Sequence, residues 1–209
     1  MRRILIANPK GGSGKSTLAT HLASWSAWQG WRTMLGDVDR QQSTRHWLQA
    51  RPEQFPPVHG WEAQLDGPMR PPKGTEWAIL DSPAGLHGKK WAAVLDAVDS
   101  VIVPVQASPM DMWASEPFLQ ALAEAKVVRK GKIRVAVVGM RVNPRTQSAR
   151  QLASFLQRFD LPCVTHIRDA QLYVQTIARG LTLFDLPTLR YAKEREQWQP
   201  LLDWLQAPA

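Results

Sequence analysis

The segment NPKGGSGKST, residues 8–17, constrains the fold of this chain more than any other part of the sequence. It stands between a short apolar stretch, RILIAN (3–8), and a stretch at 16–30 with leucine, alanine and tryptophan at helical spacing. Glycines allow a tight turn in which successive backbone N–H groups face an anion, and the following helix directs its positive end at the same point. The segment therefore predicts a strand, a phosphate-binding loop and a helix, in that order.

The residue types of this loop predict a nucleotide site. Lys15 is expected to neutralise the β- and γ-phosphates, and the Ser16 hydroxyl is expected to ligate Mg²⁺. The common pattern G-x-x-x-x-G-K-[ST] would begin at position 9, where this chain has Pro9, and Lys10 is an additional lysine. The predicted nucleotide-binding residues of the loop are Lys10, Gly11, Gly12, Ser13, Gly14, Lys15, Ser16 and Thr17.

Strand-like and helix-like segments alternate along the rest of the chain. Further strands are predicted at 32–39, 76–85, 100–105, 133–142 and 163–167, and further helices at 42–50, 116–130, 147–159, 171–179 and 188–206. Because the strands are almost continuously apolar, we predict an α/β fold whose twisted, mostly parallel sheet carries helices on both faces. The length of 209 residues predicts one domain over 1–209, with 52–75 as an irregular excursion.

Composition indicates the cellular compartment of the protein and the class of its partners. Lysine and arginine number 26 against 18 acidic residues, and the net charge of +8 favours a polyanionic partner. The single cysteine, Cys163, excludes an intrachain disulfide and favours the cytoplasm. No apolar run approaches the roughly 20 residues of a membrane-spanning helix, and the first residues lack the pattern of a signal peptide.

The loop pattern K-G-G-x-G-K-[ST] resembles the deviant phosphate loop (deviant Walker A motif) of the ParA/MinD family of ATPases, and in particular its short ParA-type members without an N-terminal helix-turn-helix. In that family the extra lysine reaches across a dimer to the ATP of the partner, which implies this role for Lys10. GDVDRQQS (36–43) resembles the D-x-D-x-Q switch of the family, with Arg40 where the family usually has proline. AILDSPAG (78–85) resembles its Walker B strand.

The resemblance implies roles for the residues in these segments. Asp37 would lie near the Mg²⁺ shell, Asp39 would orient the attacking water, and Asp81 would hold Mg²⁺ through water. The implied catalytic residues are thus Lys10, Lys15 and Asp39, and the implied metal-binding residues are Ser16, Asp37 and Asp81.

Further segments extend the resemblance over nearly the whole chain. VIVPVQASPMD (101–111) implies a dimer interface, and MRVNPRT (140–146) falls where relatives contact adenine. The implied interface residues are Lys10, Pro104, Ser108, Pro109 and Asp111, and the implied adenine contacts are Arg141 and Asn143. In relatives the C-terminal helices bind DNA, which implies Arg168, Arg179, Arg190 and Lys193 as DNA contacts.

The resemblance implies a ParA-type switch that uses ATP and Mg²⁺. Such a protein dimerises with ATP, binds DNA without sequence specificity, and hydrolyses ATP when a ParB-like or other adaptor stimulates it. It would be cytoplasmic, on the nucleoid when ATP-bound, and would segregate or position a plasmid, a chromosomal locus or a protein assembly. A single cysteine excludes the relatives that bind iron–sulfur clusters or use paired-cysteine metal sites.

The sequence leaves two alternatives open. One is a membrane-associated positioning ATPase of the MinD type, although the segment 195–209 has no lysine or arginine after Arg195 to face lipid headgroups. The other is an ATP-dependent metabolic enzyme of the dethiobiotin-synthetase kind, which would require a second substrate for ATP turnover.

Overall fold

A seven-stranded parallel sheet forms the centre of the protein. The structure is a computed structural model that describes residues 1–39, 42–63, 70–85 and 88–208, with the backbone alone at 89 and 90. The described strands are β1 (Arg2–Ile6), β2 (Thr33–Asp37), β3 (His59–Trp61), β4 (Trp77–Asp81), β5 (Ser100–Gln106), β6 (Arg134–Met140) and β7 (Cys163–Ile167). Their order is β3-β2-β4-β1-β5-β6-β7, and each pairing is parallel. The predicted α/β class is confirmed.

Helices cover both faces of this sheet, as the apolar strands predict. They are α1 (Lys15–Trp28), α2 (Ser43–Ala50), α3 (Gly88–Asp96), α4 (Pro109–Glu124), α5 (Lys126–Arg129), α6 (Gln147–Leu156), α7 (Gln171–Ile177) and α8 (Ala192–Gln206). Buried residues of α3, α4 and α6 form one apolar cluster with the sheet, and those of α1, α2, α7 and α8 form a second. Because β2, β4, β1 and β5 are parallel neighbours, the loops that follow them meet at one edge of the sheet.

The terminal helix α8 packs its apolar side against the body of the protein. Trp198, Leu201 and Leu202 are buried, and so is Leu205. The first residues of β1 and β6, Arg2 and Arg134, bind the carbonyl groups at the end of α8. Arg2 donates to Gln206 O at 3.0 Å, and Arg134 donates to Ala207 O at 2.9 Å. Such cations compensate the negative end of the helix. Within the described residues, no helix has the length and apolar character needed to cross a bilayer.

Three elements, α4, α3 and β3, differ from the sequence-based expectations. Helix α4 begins at Pro109, seven residues before the predicted start, because the Ser108 hydroxyl accepts the Asp111 N–H and proline suits the first helical position. Helix α3 was not predicted, although Trp91, Val94, Leu95 and Val98 follow the i, i+3, i+4, i+7 spacing of a helix face. The stretch 52–75, expected to be irregular, contains the short edge strand β3.

A buried histidine connects α1 with the C-terminal part of the chain. His21 stacks on Trp198 with 4.9 Å between ring centroids. Its Nδ1 lies 2.8 Å from Thr17 O, and its Nε2 accepts the Leu183 N–H at 3.2 Å. These partners require Nδ1 to carry the proton and Nε2 to be bare, which is the neutral ring. Burial lowers the pKa of His21 to about 4.

We predict that the buried, neutral His21 lowers the unfolding free energy of the protein as the pH falls. Because the pKa of His21 is lower in the folded state than in the unfolded chain, the unfolded state binds the extra proton between about pH 6.5 and 4. Relative to a His21→Gln variant, the wild type should lose about 2 kcal/mol of unfolding free energy between pH 7 and pH 5. Urea unfolding at several pH values measures this difference. A constant difference across that range would contradict a buried, neutral His21.

Candidate functional site

The glycine-rich loop turns tightly at the carboxyl end of β1. Gly12 and Gly14 have φ angles of +75° and +104°, in the region that glycine adopts without strain. A Cβ atom on Gly14 would lie 2.8 Å from Met140 Cε, so the Met140 side chain would have to shift to make room for it. The Gln106 side chain at the end of β5 donates to the Gly12 carbonyl and connects the loop with the neighbouring strand.

Lys15 lies inside this loop. Only 6% of the residue is exposed, and its Nζ donates to the Lys10 carbonyl at 3.0 Å. Burial lowers the pKa of Lys15, while the negative charges of Asp81 and Asp39 oppose that shift. The predicted phosphate-binding lysine is therefore a nearly buried cation that faces two acidic side chains from neighbouring strand ends.

Asp81 ends β4 as a buried carboxylate beside the start of α1. It is 1% exposed, and its Oδ2 accepts the Ser16 hydroxyl at 2.7 Å. Among the described residues, neither Asp81 Oδ1 nor the buried Ser13 hydroxyl has a hydrogen-bond partner. Burial raises the pKa of Asp81 to about 7. A buried oxygen without a partner, next to a serine hydroxyl, is a donor set that fits a hard cation such as Mg²⁺.

Asp37 and Asp39 follow the end of β2 near this carboxylate. Asp37 accepts the Asp39 N–H at 2.9 Å, the Thr44 N–H at 3.0 Å and the Thr44 hydroxyl at 2.7 Å. These bonds place the Asp37 carboxylate at the N-terminus of α2, where a negative charge is favourable. The metal role of Asp37 and the water-orienting role of Asp39 remain predictions, and Arg40 lies outside the described residues.

Three of the five predicted interface residues contact one another at the rim of the loop. Lys10 Nζ lies 2.8 Å from Asp111 Oδ1, and the Ser108 hydroxyl donates to the other carboxylate oxygen of Asp111. Pro109 is exposed at the start of α4 beside them. Pro104 is buried within β5, where it pairs with Val138 beyond the end of β1. It therefore offers no exposed side chain to a partner.

The predicted adenine and DNA residues are all exposed. Arg141 has a φ of +54° directly after β6, and the Asn143 side chain accepts the Arg145 N–H at 3.2 Å. Arg168 forms an ion pair with Glu194. Arg179, Arg190 and Lys193 are exposed, without a carboxylate within 4 Å in the described part of the chain. The structure leaves all these assignments as predictions.

The sequence interpretation missed two polar residues that shape the loop. The Asn8 side chain accepts the Lys10 N–H at 2.8 Å and donates to Pro104 O at 2.7 Å and to the Ser115 hydroxyl at 2.9 Å. Asn8 thereby connects the loop with β5 and α4. The sequence signal for Asn8 was a polar residue directly after an apolar strand, because a polar group buried there needs hydrogen-bond partners. Those partners are distant in sequence and are visible only in the fold. Gln106 is the other missed residue.

Comparison with known proteins agrees with this geometry. The family model "CobQ/CobB/MinD/ParA nucleotide binding domain" matches residues 4–184. The chain is 31% identical to the chromosome-partitioning ATPase Soj of Thermus thermophilus, over 75% of this chain and 76% of that protein. It is 25% identical to maintenance of carboxysome distribution protein A of Halothiobacillus neapolitanus, over 88% and 87%. The structure of Cyanothece apo McdA has the same fold, with a TM-score of 0.72, 16% identity and coverage of 98% and 99%.

We predict that the buried charge of Asp81 destabilises the protein when no nucleotide or Mg²⁺ is present. Since the pKa of Asp81 is about 7 in the fold, the cost is complete above that pH and decreases as the pH falls towards 4. Asp81→Asn should therefore raise the unfolding free energy at pH 8 by about 4 kcal/mol, and by less at pH 5. Urea unfolding in EDTA measures this change.

Asp99→Asn is a control with the same chemical change and the opposite expected sign. Asp99 accepts the Arg3 guanidinium at 2.5 Å and the Arg3 N–H at 2.8 Å, and these bonds lower the pKa of Asp99 against the effect of its burial. This variant should be less stable than the wild type. A loss of stability in both variants would contradict an uncompensated charge at Asp81.

Proposed function

Because this chain belongs to the CobQ/CobB/MinD/ParA family of nucleotide-binding domains, we propose that it is an ATP-dependent switch of the ParA type. The different partners of the two loop lysines carry the proposal. Lys15 Nζ donates to the loop's own backbone, whereas Lys10 Nζ forms an ion pair with Asp111 at the start of α4. This difference supports a role of Lys15 towards the nucleotide of its own subunit and a role of Lys10 towards that of a second subunit.

In this proposal ATP binds along the glycine-rich loop. The N–H groups of the loop and the N-terminus of α1 bind the phosphates, and Lys15 neutralises their charge. Ser16 and Asp81 would hold Mg²⁺, which neutralises charge that develops on the phosphates during hydrolysis. Asp39 orients the attacking water, while Asp37 fixes the start of α2 beside it. Arg141 and Asn143 are proposed to contact the adenine.

Exposed apolar side chains beside Lys10 support a face-to-face homodimer. Met110 and Trp113, in the first turns of α4, are 66% and 65% exposed. Along the chain they flank Asp111, the ion-pair partner of Lys10. Large exposed apolar residues next to a polar rim are typical of a protein–protein interface. We propose that dimerisation covers them and transfers the Lys10 ammonium from Asp111 to the partner's ATP.

The names of the relatives indicate what such a dimer would act on. One is a chromosome-partitioning ATPase and another maintains the distribution of carboxysomes. By analogy, this protein would segregate or position a plasmid, a chromosomal locus or a protein assembly. Hydrolysis would be slow until an adaptor protein completes the site, after which the dimer separates.

Nonspecific DNA binding in the ATP-bound dimer is the proposed means of attachment. The net charge of +8 supports it, and so do the exposed Arg179, Arg190 and Lys193, which have no carboxylate within 4 Å among the described residues. The membrane alternative receives no support from α8, because its apolar residues Trp198, Leu201 and Leu202 are buried against the core. An interfacial helix needs that face for lipid.

The two lysines should be separable by mutation. Lys15→Ala should abolish ATP binding, whereas Lys10→Ala should bind ATP at near wild-type affinity and remain a monomer with ATP. Isothermal titration with a slowly hydrolysed analogue measures the first property, and analytical ultracentrifugation measures the second. Lys73→Ala, an exposed lysine in the loop before β4, is the matched control and should behave as wild type. An ATP-dependent dimer of Lys10→Ala would contradict the cross-subunit role.

Nucleotide state should determine DNA binding. We expect the wild type to bind a random-sequence duplex with ATP and Mg²⁺ at least tenfold more tightly than with ADP, at one fixed moderate salt concentration. Lys15→Ala should not show this difference. Fluorescence anisotropy of a labelled duplex measures both. Absence of duplex binding, together with ATP turnover that requires a small-molecule substrate, would favour the metabolic alternative.

A further inference from the structure

The positive charge of the protein is concentrated in one segment of the chain. Residues 125–159 contain nine lysines and arginines and no acidic residue, while the rest of the chain has 17 basic and 18 acidic residues. The whole net charge of +8 therefore comes from the segment that forms α5, β6 and α6. A nearly neutral remainder implies that the surface of this segment governs attraction to polyanions.

Some of these cations are used within the protein. Arg134 holds the carbonyl end of α8, Arg158 forms an ion pair with Glu116, and Arg141 lies 4.0 Å from Asp169. Arg145 and Arg150 stand near the start of α6, at the carboxyl edge of the sheet. Four others lie together between α4 and β6, and we call them the basic turn: Lys126, Arg129, Lys130 and Lys132.

The basic turn is exposed and has no internal counter-charge. All four side chains are exposed, and none has a carboxylate within 4 Å in the described ranges. Asp99 forms its ion pair with Arg3, and Glu124, which accepts the Gln120 side chain, forms no ion pair with the turn in the described part of the chain. Asp160, which is exposed between α6 and β7, forms no ion pair with the turn.

The backbone fixes these charges in place. Val127 and Val128 pack on the apolar cluster of α3, α4 and α6, and Ile133 is buried. The Lys132 N–H donates to Val127 O at 2.9 Å and the Gly131 N–H to Val128 O at 2.8 Å, with Gly131 at a φ of +66°. The turn is thus an ordered scaffold that holds four like charges within seven residues.

Stability of the fold does not account for this arrangement. Lys126 stands three and four residues before Arg129 and Lys130, a spacing at which like charges on a helix repel each other. A single cation would suffice to compensate the carbonyl end of so short a helix. The four together form a surface suited to an external polyanion.

From these observations we propose that the basic turn is a contact surface for the phosphate backbone of duplex DNA. It lies at the amino edge of the sheet, opposite the glycine-rich loop at the carboxyl end of β1, so a dimer closed at the loops leaves it accessible. The exposed large apolar residues of the described chain do not include any member of 125–134, which favours nucleic acid over a lipid surface that apolar side chains would penetrate. The inference rests on the proposed function only in its choice of DNA as the polyanion.

The test compares two triple variants with the same change in net charge. One is Lys126→Gln/Lys130→Gln/Lys132→Gln in the basic turn, and the other is Arg179→Gln/Arg190→Gln/Lys193→Gln in the C-terminal region. Binding to a random-sequence duplex is measured by anisotropy from 50 to 200 mM salt, with ATP and with ADP. A charge-retaining triple, Lys126→Arg/Lys130→Arg/Lys132→Arg, shows whether charge alone suffices. Thermal unfolding and nucleotide affinity confirm that each variant folds.

The basic-turn variant should bind duplex DNA about tenfold more weakly or worse at moderate salt, and the charge-retaining triple should bind as wild type. The slope of log affinity against log salt should become shallower by about 3, since each phosphate contact contributes about 0.9. The C-terminal variant should lose less on both measures.

The outcomes separate this inference from the proposed switch. Wild-type affinity in the basic-turn variant would overturn the inference while ATP-dependent binding sustained the switch. Binding that is equal with ATP and ADP, yet lost in the basic-turn variant, would sustain the inference and overturn the switch. Equal losses in the two variants, or binding of phosphatidylserine vesicles without binding of duplex, would overturn the assignment of the turn to DNA.

Discussion

The site depends on charged groups that the sheet holds away from water. Lys15, the first residue of α1, and Asp81, the last residue of β4, are both nearly buried. Lys15 Nζ donates to the Lys10 carbonyl, and Asp81 Oδ1 has no hydrogen-bond partner among the described residues. Burial shifts the pKa of each towards its neutral form. The fold accepts this cost because a phosphate and a cation bound between them would satisfy both groups at once. Stability of the protein without ligand and affinity for ligand are therefore opposed at this point.

Parallel topology makes that arrangement possible. β1 lies between β4 and β5, and β4 lies between β2 and β1, so four strand ends deliver their loops to one edge. The glycine-rich loop, Asp81, the segment of Asp37 and the start of α4 come from these four ends. Asn8 extends the connection by bonding to Pro104 O and to Ser115 of α4. Two hydrogen bonds of Asn8 and the Lys10–Asp111 ion pair thus connect the glycine-rich loop with β5 and α4.

Local pattern and order along the chain sufficed to predict much of this fold. The glycine-rich loop, the apolar strands and the helix at 16–30 follow from short-range chemistry, and each has its counterpart in the structure. Contacts between residues that are far apart in the sequence could not be predicted in this way. The partners of Asn8, the ion pair of Lys10 with Asp111 and the capping role of Asp37 depend on which strands become neighbours. Pro104 shows the same limit, since it is tolerated inside β5 only because β1 has already ended beside it.

The candidate site and the basic turn lie at opposite edges of the sheet. At the carboxyl edge, Lys10 lies 2.8 Å from Asp111, and the charges of Asp81 and Asp39 act on Lys15, so the charges within the site partly compensate one another. At the amino edge, the four cations of the basic turn are exposed, and none has a carboxylate within 4 Å in the described part of the chain. The charge of the turn therefore faces solvent with no ion pair to compensate it. In the proposed switch, a nucleotide bound at the first edge would leave the charged surface at the second edge unaltered.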